Sequence, residues 1–384
     1  MDSKNFAVLE DLNVDCNTKN TIIKRVSFIY TIENFPISEG YSSVCGLYNY
    51  KTGERCLYGQ KCQKCRERDH ILDEGHVSKF EMNFNVLCFL IIDPIGCFNI
   101  ESGDEYVSLH LKFTGFNRMK IVALCKFSIL NMNGKDEYKS VVGIEKFNAY
   151  NNSYCLETFI NRDDLRKRKN MLLPNNRLTV CFEMFYILDY DIDCFGISEN
   201  IPIDEHLSVL SSDMKIMLDS PEFYDCIIKV GDSEIGAHKC ILASRSENFR
   251  EMLKNKSSVC KSDVIEINDF RLEVVKEMVN YLYTGRSPRV DEIAIEMLEI
   301  AEKYKLEGLK LIATESLFKS LNVENVCDYL EKSELCSAEN LKEFCIRYIY
   351  LNAEEVVKSE KWRRIFNLYP LLVARIFNVA VHID

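Results

Sequence analysis

The chain has 384 residues, 47% of them hydrophobic, which is enough for two or three packed domains. Its formal net charge is −11, from 59 acidic and 48 basic residues, and an acidic surface repels a phosphate backbone, so nucleic acid is not an expected partner. The first twenty residues have no basic start followed by an apolar run, and the longest purely apolar stretch, Val86–Ile92, falls far short of the roughly 18 residues of a membrane span, so the expectation is a nuclear or cytoplasmic protein with no membrane partner.

From residue 21 to residue 190 the apolar residues mostly alternate. Val26, Phe28, Tyr30 and Ile32 fall on one face, and Ser27, Thr31 and Glu33 on the other. Tyr106–Phe113 and Leu178–Met184 alternate in the same way. Asn133-Gly134 and Pro174-Asn175-Asn176 are turn signals between such segments. Period two broken by turns predicts antiparallel strands, and many of them predict a β-sandwich. Within this half, residues 40–76 carry Cys56, Cys62, Cys65 and His70. Cys62-Gln-Lys-Cys65 has the spacing with which two thiolates grip a tetrahedral zinc ion, and Cys56 with either His70 or His76 would complete a four-ligand set. The alternative is a loop of free thiols. The chain holds 17 cysteines, many inside apolar patterns, and without a secretory signal reduced cysteines act as small buried hydrophobes. The basic run Arg166–Lys169 is expected to be a solvated loop.

Residues 191–207 are acidic and irregular, with Gly196, Ser198, Asn200 and Pro202, and read as a linker. Beyond them the period changes. Val274, Val275, Met278, Val279 and Leu282 recur at helical spacing, as do Ile293, Met297, Ile300, Ala301 and Tyr304, and then Leu341, Phe344, Cys345, Tyr348 and Ile349. Asn322 and Ser337 stand where helix starts are expected, each followed by a glutamate. The fold expected is α+β and multidomain: an antiparallel sandwich, then a mixed α/β domain, then C-terminal helices.

One stretch carries a family resemblance. Asp225, Ala237-His238-Lys239, Leu242-Ala243, Ser246, Phe249 and Met252, followed by Ile265–Asp269 and Tyr281–Gly285, resemble the BTB/POZ domain in order and spacing. Tyr30–Phe35, Tyr106–Leu109, Lys126–Asn131 and Phe159–Asp163 resemble the meprin-and-TRAF-homology (MATH) domain. The two in this order, continuing through Ser320–Asn325 and Trp362, resemble the speckle-type POZ protein family. The resemblance implies a MATH-like domain over 21–190 with an insertion at about 40–76, a BTB/POZ domain over 208–319, and C-terminal helices of BACK type over 320–384.

It also implies a function: a non-enzymatic adaptor that captures protein substrates with its first domain, dimerises through the second and docks on a cullin (cullin three in that family) of a ubiquitin ligase. The matching dimer positions are Leu210, Met214, Met217 and Ile241, the first three spaced along one helix face; the alternative is that this stripe packs on its own domain. The matching substrate-groove positions are His110, Cys125, Tyr154, Leu156 and Glu157, where only Tyr154 keeps a benzene ring and Glu157 reverses a charge. The cullin contact follows the helix ending near Met252. Where the family has an apolar residue, any residue and Glu, this chain has Ser257-Ser258-Val259, so Ser257 and Val259 depart from the pattern. A dimeric scaffold that binds partners without a cullin, and a zinc-dependent enzyme, are the rival readings. His238 is expected to be a buried, hydrogen-bonded core residue.

Overall fold

Alternation along residues 24–32 becomes a strand with Val26, Phe28 and Ile32 buried on one side. This computed structural model describes residues 7–8, 23–35, 77–81, 86–94, 104–116, 119–190, 205–254 and 263–381. They fall into two compact units, one ending at residue 190 and the other starting at residue 205.

The first unit holds nine strands: β1 (Ala7–Val8), β2 (Lys24–Ile32), β3 (Val77–Glu81), β4 (Leu87–Asp93), β5 (Tyr106–Thr114), β6 (Met119–Leu130), β7 (Asp136–Phe147), β8 (Ser153–Asn161) and β9 (Leu178–Tyr190). They form a five-stranded sheet in the order β1-β2-β9-β6-β7 and a four-stranded sheet in the order β3-β4-β5-β8. Every pairing is antiparallel. The core lies where period two places it. Ile121, Ala123, Cys125, Phe127 and Ile129 of β6 are buried in one cluster with Cys88, Leu90 and Ile92 of β4 and Leu109, Leu111 and Phe113 of β5. Tilted ring pairs fill it, including Phe113–Phe147 at 4.5 Å and Phe127–Phe182 at 5.0 Å between centroids.

The Asn133-Gly134 turn closes the β6–β7 hairpin. Asn131 Oδ1 accepts the Asn133 and Lys135 amides at 2.9 and 3.1 Å, and Gly134 takes a φ of 73° that other residues resist. Two short helices, α1 (Arg162–Lys167) and α2 (Lys169–Leu172), connect β8 to β9. The basic run expected as a loop is therefore largely helical. Asn161 starts α1 by accepting the amides of Asp163 and Asp164, whose carboxylates suit the helix N-terminus.

The second unit opens with α3 (Glu205–Asp219), so residues 205–207 of the expected linker already belong to a helix. A three-stranded sheet follows: β10 (Cys226–Val230) between antiparallel β11 (Ser233–Ala237) and parallel β12 (Asp263–Glu266). Helices α4 (Lys239–Arg245), α5 (Glu247–Lys254), α6 (Leu272–Thr284), α7 (Ala294–Lys303) and α8 (Glu307–Ser320) complete this part. Then come α9 (Val326–Leu335), α10 (Glu339–Leu351), α11 (Ala353–Val356), α12 (Glu360–Leu368) and α13 (Pro370–Val381). The apolar stripes predicted on α6, α7 and α10 are buried.

Two start signals differ from expectation. Ser337 does not cap α10. It sits at a positive φ of 47° and its amide bonds back to Glu334, so it closes α9 instead. Asn322 accepts the amides of Glu324 and Asn325 in a turn before α9, which itself begins at Val326. Among the described residues no single helix is long and apolar enough to cross a membrane; α12 and α13 pass such a test only when joined, across a 105° bend.

Candidate interaction surfaces

The residues expected to line the substrate groove occupy three different places. Leu156 and Tyr154 sit opposite Leu109 and Leu111 in the β5–β8 pairing, so both face the interior of the sandwich and pack against its core. His110 pairs with Cys155 and points to the outer side of the four-stranded sheet. Glu157 is exposed, just past a register shift between Val107 and Leu109. Cys125 corrects the expectation outright. It lies on β6, between β9 and β7, and is 3% exposed, so it is a core residue and does not line an open groove. Burial pushes its thiol far up, with the Glu145 carboxylate adding to the effect, so it stays protonated.

What the structure does bring together is the two edge strands β7 and β8, one from each sheet. Among the described residues β7 ends one sheet and β8 ends the other. Tyr154 and Leu156 belong to the β8 edge. Across from them, Glu145 of β7 pairs with core residue Ala123 and so also turns inward. Tyr154 is half-buried; burial raises its hydroxyl pKa, and the nearby Glu145 charge raises it further. Further along, Tyr138 of β7 donates its hydroxyl to the Phe159 carbonyl of β8 at 2.6 Å and ties the two edges together.

The outer side of the four-stranded sheet has its own polar cluster. His110 Nε2 lies 3.2 Å from Ser108 Oγ and 4.0 Å from Cys155 Sγ. Burial lowers the imidazole pKa, only partly opposed by the Asp93 and Glu157 charges. Among the described residues no group of three or more His, Cys, Asp or Glu has the geometry of a metal site. Cys56, Cys62, Cys65 and His70 lie outside the described residues.

In the second unit α3 packs against α6. Ser211 Oγ donates to the Thr284 carbonyl at 3.1 Å and Leu218 is buried. The predicted dimer stripe follows the next face round. Leu210 is 56% exposed, while Met214 and Met217 are half-buried. Ile241, on α4, is half-buried as well. The apolar surface is wider than expected, because Val209, Ile216 and Phe223 are also exposed. Met252 is half-buried on α5, and Ser257 and Val259 lie outside the described residues.

The strand-to-helix turn that carries the strongest sequence signature is a locked polar joint. Asp225 Oδ1 accepts the Lys239 amide at 2.7 Å, satisfying a donor at the start of α4. His238 is buried, as expected; its amide and its Nδ1 each lie 2.8 Å from the Tyr283 hydroxyl, and burial pushes that hydroxyl up to about 12. Its Nε2 is buried with no hydrogen-bond partner among the described residues.

The sequence profile of the BTB/POZ domain matches residues 214–321. Mouse TD and POZ domain-containing protein 2 is 34% identical over 299 residues, covering 77% of this chain and 81% of the relative. The chain belongs to the TD and POZ domain-containing family. Its α+β organisation, an antiparallel β domain followed by a BTB domain and C-terminal helices, makes it a protein-interaction adaptor or scaffold. Among solved structures, the BTB domain of zebrafish PATZ1 matches 32% of this chain and 98% of its own length at 22% identity, with a TM-score of 0.25.

Sequence reasoning missed Ile216 and Phe223 in this TD and POZ protein. Apolar residues occur at 207, 209, 210, 214, 216, 217 and 218 of α3, nearly all round the helix, so spacing alone did not choose the exposed face. Phe223 lies between the end of α3 and the start of β10, in no periodic pattern that would mark it.

Proposed function

We propose that this chain is a substrate-recognition adaptor of a cullin-RING ubiquitin ligase. Its β domain, read as MATH-like, captures a short extended segment of a protein substrate along the β7–β8 edges. Tyr154 and Leu156 offer apolar contact there, and Glu145 and Glu157 favour basic or neutral segments over acidic ones. The BTB domain joins two copies through α3 and α4, which doubles the number of capture sites and raises the local concentration for bivalent substrates. No residue performs chemistry in this reading: holding the substrate near the ubiquitin-charged enzyme is the whole contribution.

The observation that carries the reading is the combination, in one chain, of a BTB match with a separate sandwich in which, among the described residues, β7 and β8 are edge strands. Leu210 and its exposed neighbours on α3 support the dimer. Phe366, Leu371 and Phe377, exposed on α12 and α13, offer a second apolar face, which suits assembly beyond a dimer. The test is co-purification of the full chain with a cullin, compared with a chain lacking residues 320–384. Retention by the full chain, reduced by the truncation, supports hand-off to a ligase; no retention by a dimeric full chain ends it.

A second reading, a dimeric scaffold without a cullin, is favoured by Ser257-Ser258-Val259, which lacks the apolar anchor and the carboxylate of the cullin-binding pattern. Loss of one buried anchor removes about 2 kcal/mol or more of binding. Metal analysis of the purified protein decides between zinc and free thiols for Cys56, Cys62, Cys65 and His70.

A further inference from the structure

Phe223 is 86% exposed and has a φ of 68°. A large side chain in the left-handed region is rare, and so is an aromatic ring left almost wholly in water. Such a conformation persists only where the surroundings over-determine it. Here both flanks are fixed. On one side the Ser220 amide closes α3 on the Ile216 carbonyl at 3.0 Å. On the other, the Tyr224 ring lies where a β-carbon on Gly236 would come within 2.0 Å, and the Tyr224 hydroxyl bonds to the Leu218 carbonyl. The Asp225 amide then joins Ala237 at 3.3 Å. Phe223, between these clamps, is held outward.

Beside it runs a shallow groove of about 300 Å³, lined by Asp213, Ile216, Met217, Ser220, Glu222 and Phe223 itself. Ile216 in this groove is 67% exposed. We infer that Phe223 is a docking anchor for a second copy of this chain, seated in the partner's groove at Ile216 and Met217. The inference rests on the dimer reading above and adds the residue that locks it. Knob and groove lie on one patch of one chain, which is the condition for a two-fold contact in which each copy gives and receives the same element. The patch is also continuous along α3 with Leu210 and Met217, the stripe assigned to the dimer. An exposed aromatic next to a groove in such a patch is the kind of residue that dominates an interface.

The test uses the full chain in sedimentation velocity over a concentration series, comparing wild type with Phe223→Gly and Leu210→Asp. Glycine removes the ring and accepts the left-handed backbone, so the fold is not strained. Phe223→Gly is expected to raise the dimer dissociation constant at least tenfold, while amide exchange in β10 and β11, read at concentrations where all variants are monomeric, stays that of wild type. An unchanged dissociation constant for Phe223→Gly, with Leu210→Asp dissociated, overturns the anchor and leaves the dimer standing. A wild-type chain that stays monomeric throughout overturns both.

Discussion

Glu343 of α10 lies almost out of reach of water and holds two guanidinium groups. Arg347, one turn further on, donates from Nη1 to Oε2 at 2.5 Å, and Arg375 of α13 meets the other oxygen. The Arg347 side chain is 6% exposed, against 46% for Arg375. Replacing Glu343 with leucine keeps most of the volume and removes the carboxylate to which the buried Arg347 donates. Breaking a buried pair on one side costs about 3–5 kcal/mol. Arg375 regains water, so its share is about 1 kcal/mol or less. Removing both charges together, as Glu343→Leu with Arg347→Met, is expected to be near neutral or stabilising. In a chain of two units a single unfolding midpoint is poorly defined, so the assay is native-state hydrogen exchange at the amides of α10 and α13. At about 1.4 kcal/mol per tenfold, the single variant loses roughly a hundredfold or more of protection in α10, and the double variant recovers most of it. A double variant as poorly protected as the single one would refute the argument, because the cost would then lie in packing and not in the lost carboxylate.

Two further outcomes follow from close contacts and burial. Gly236→Ala sets a β-carbon against the Tyr224 ring, so β10 and β11 lose about 1–3 kcal/mol of stability, read as faster amide exchange in both strands; unchanged exchange would mean that the ring moves aside freely. His110 makes the β domain less stable in acid. Its folded pKa lies below the 6.5 of the free side chain, so as pH falls through that value the unfolded chain takes up the proton first, and stability drops until the folded imidazole also titrates. Exchange at β5 amides is expected to quicken between pH 7.5 and pH 5.5 beyond its intrinsic change with pH, and Asn in place of His110 removes that excess; an equal excess in both proteins would exclude the imidazole as its source.

Much of this architecture could be read from residues because burial on one face imposes a period. The strands at 24–32 and 106–114 and the helices α6, α7 and α10 emerge where the spacing puts them. The BTB signature was legible because its residues have fixed jobs: Asp225 caps α4 and His238 meets Tyr283. The groove was less legible. A strand residue faces in or out according to register, and Cys125 shows that a position matched by resemblance can be carried to the inner face of a central strand. Polar residues near helix ends were ambiguous for a different reason. Ser337 could start α10 or finish α9, and the backbone turn, not the side chain, made the choice.

The edge position of β7 among the described residues has a consequence for the protein's own solubility. A strand edge that accepts an extended segment would also accept the edge of a neighbouring copy, and a flat, apolar edge is a template for aggregation. β7 is neither flat nor apolar. Its register against β6 shifts between Leu124 and Cys125, where Gly143 is left over as a bulge, and shifts again near Leu130. Charged Glu137, Lys139, Glu145 and Lys146 lie along it. The bulge divides the twelve-residue edge into shorter runs and interrupts the ladder that a whole strand from another copy would need. If the proposed capture uses this edge, the backbone of β7 would favour short guests over self-association before any side chain of the guest is read.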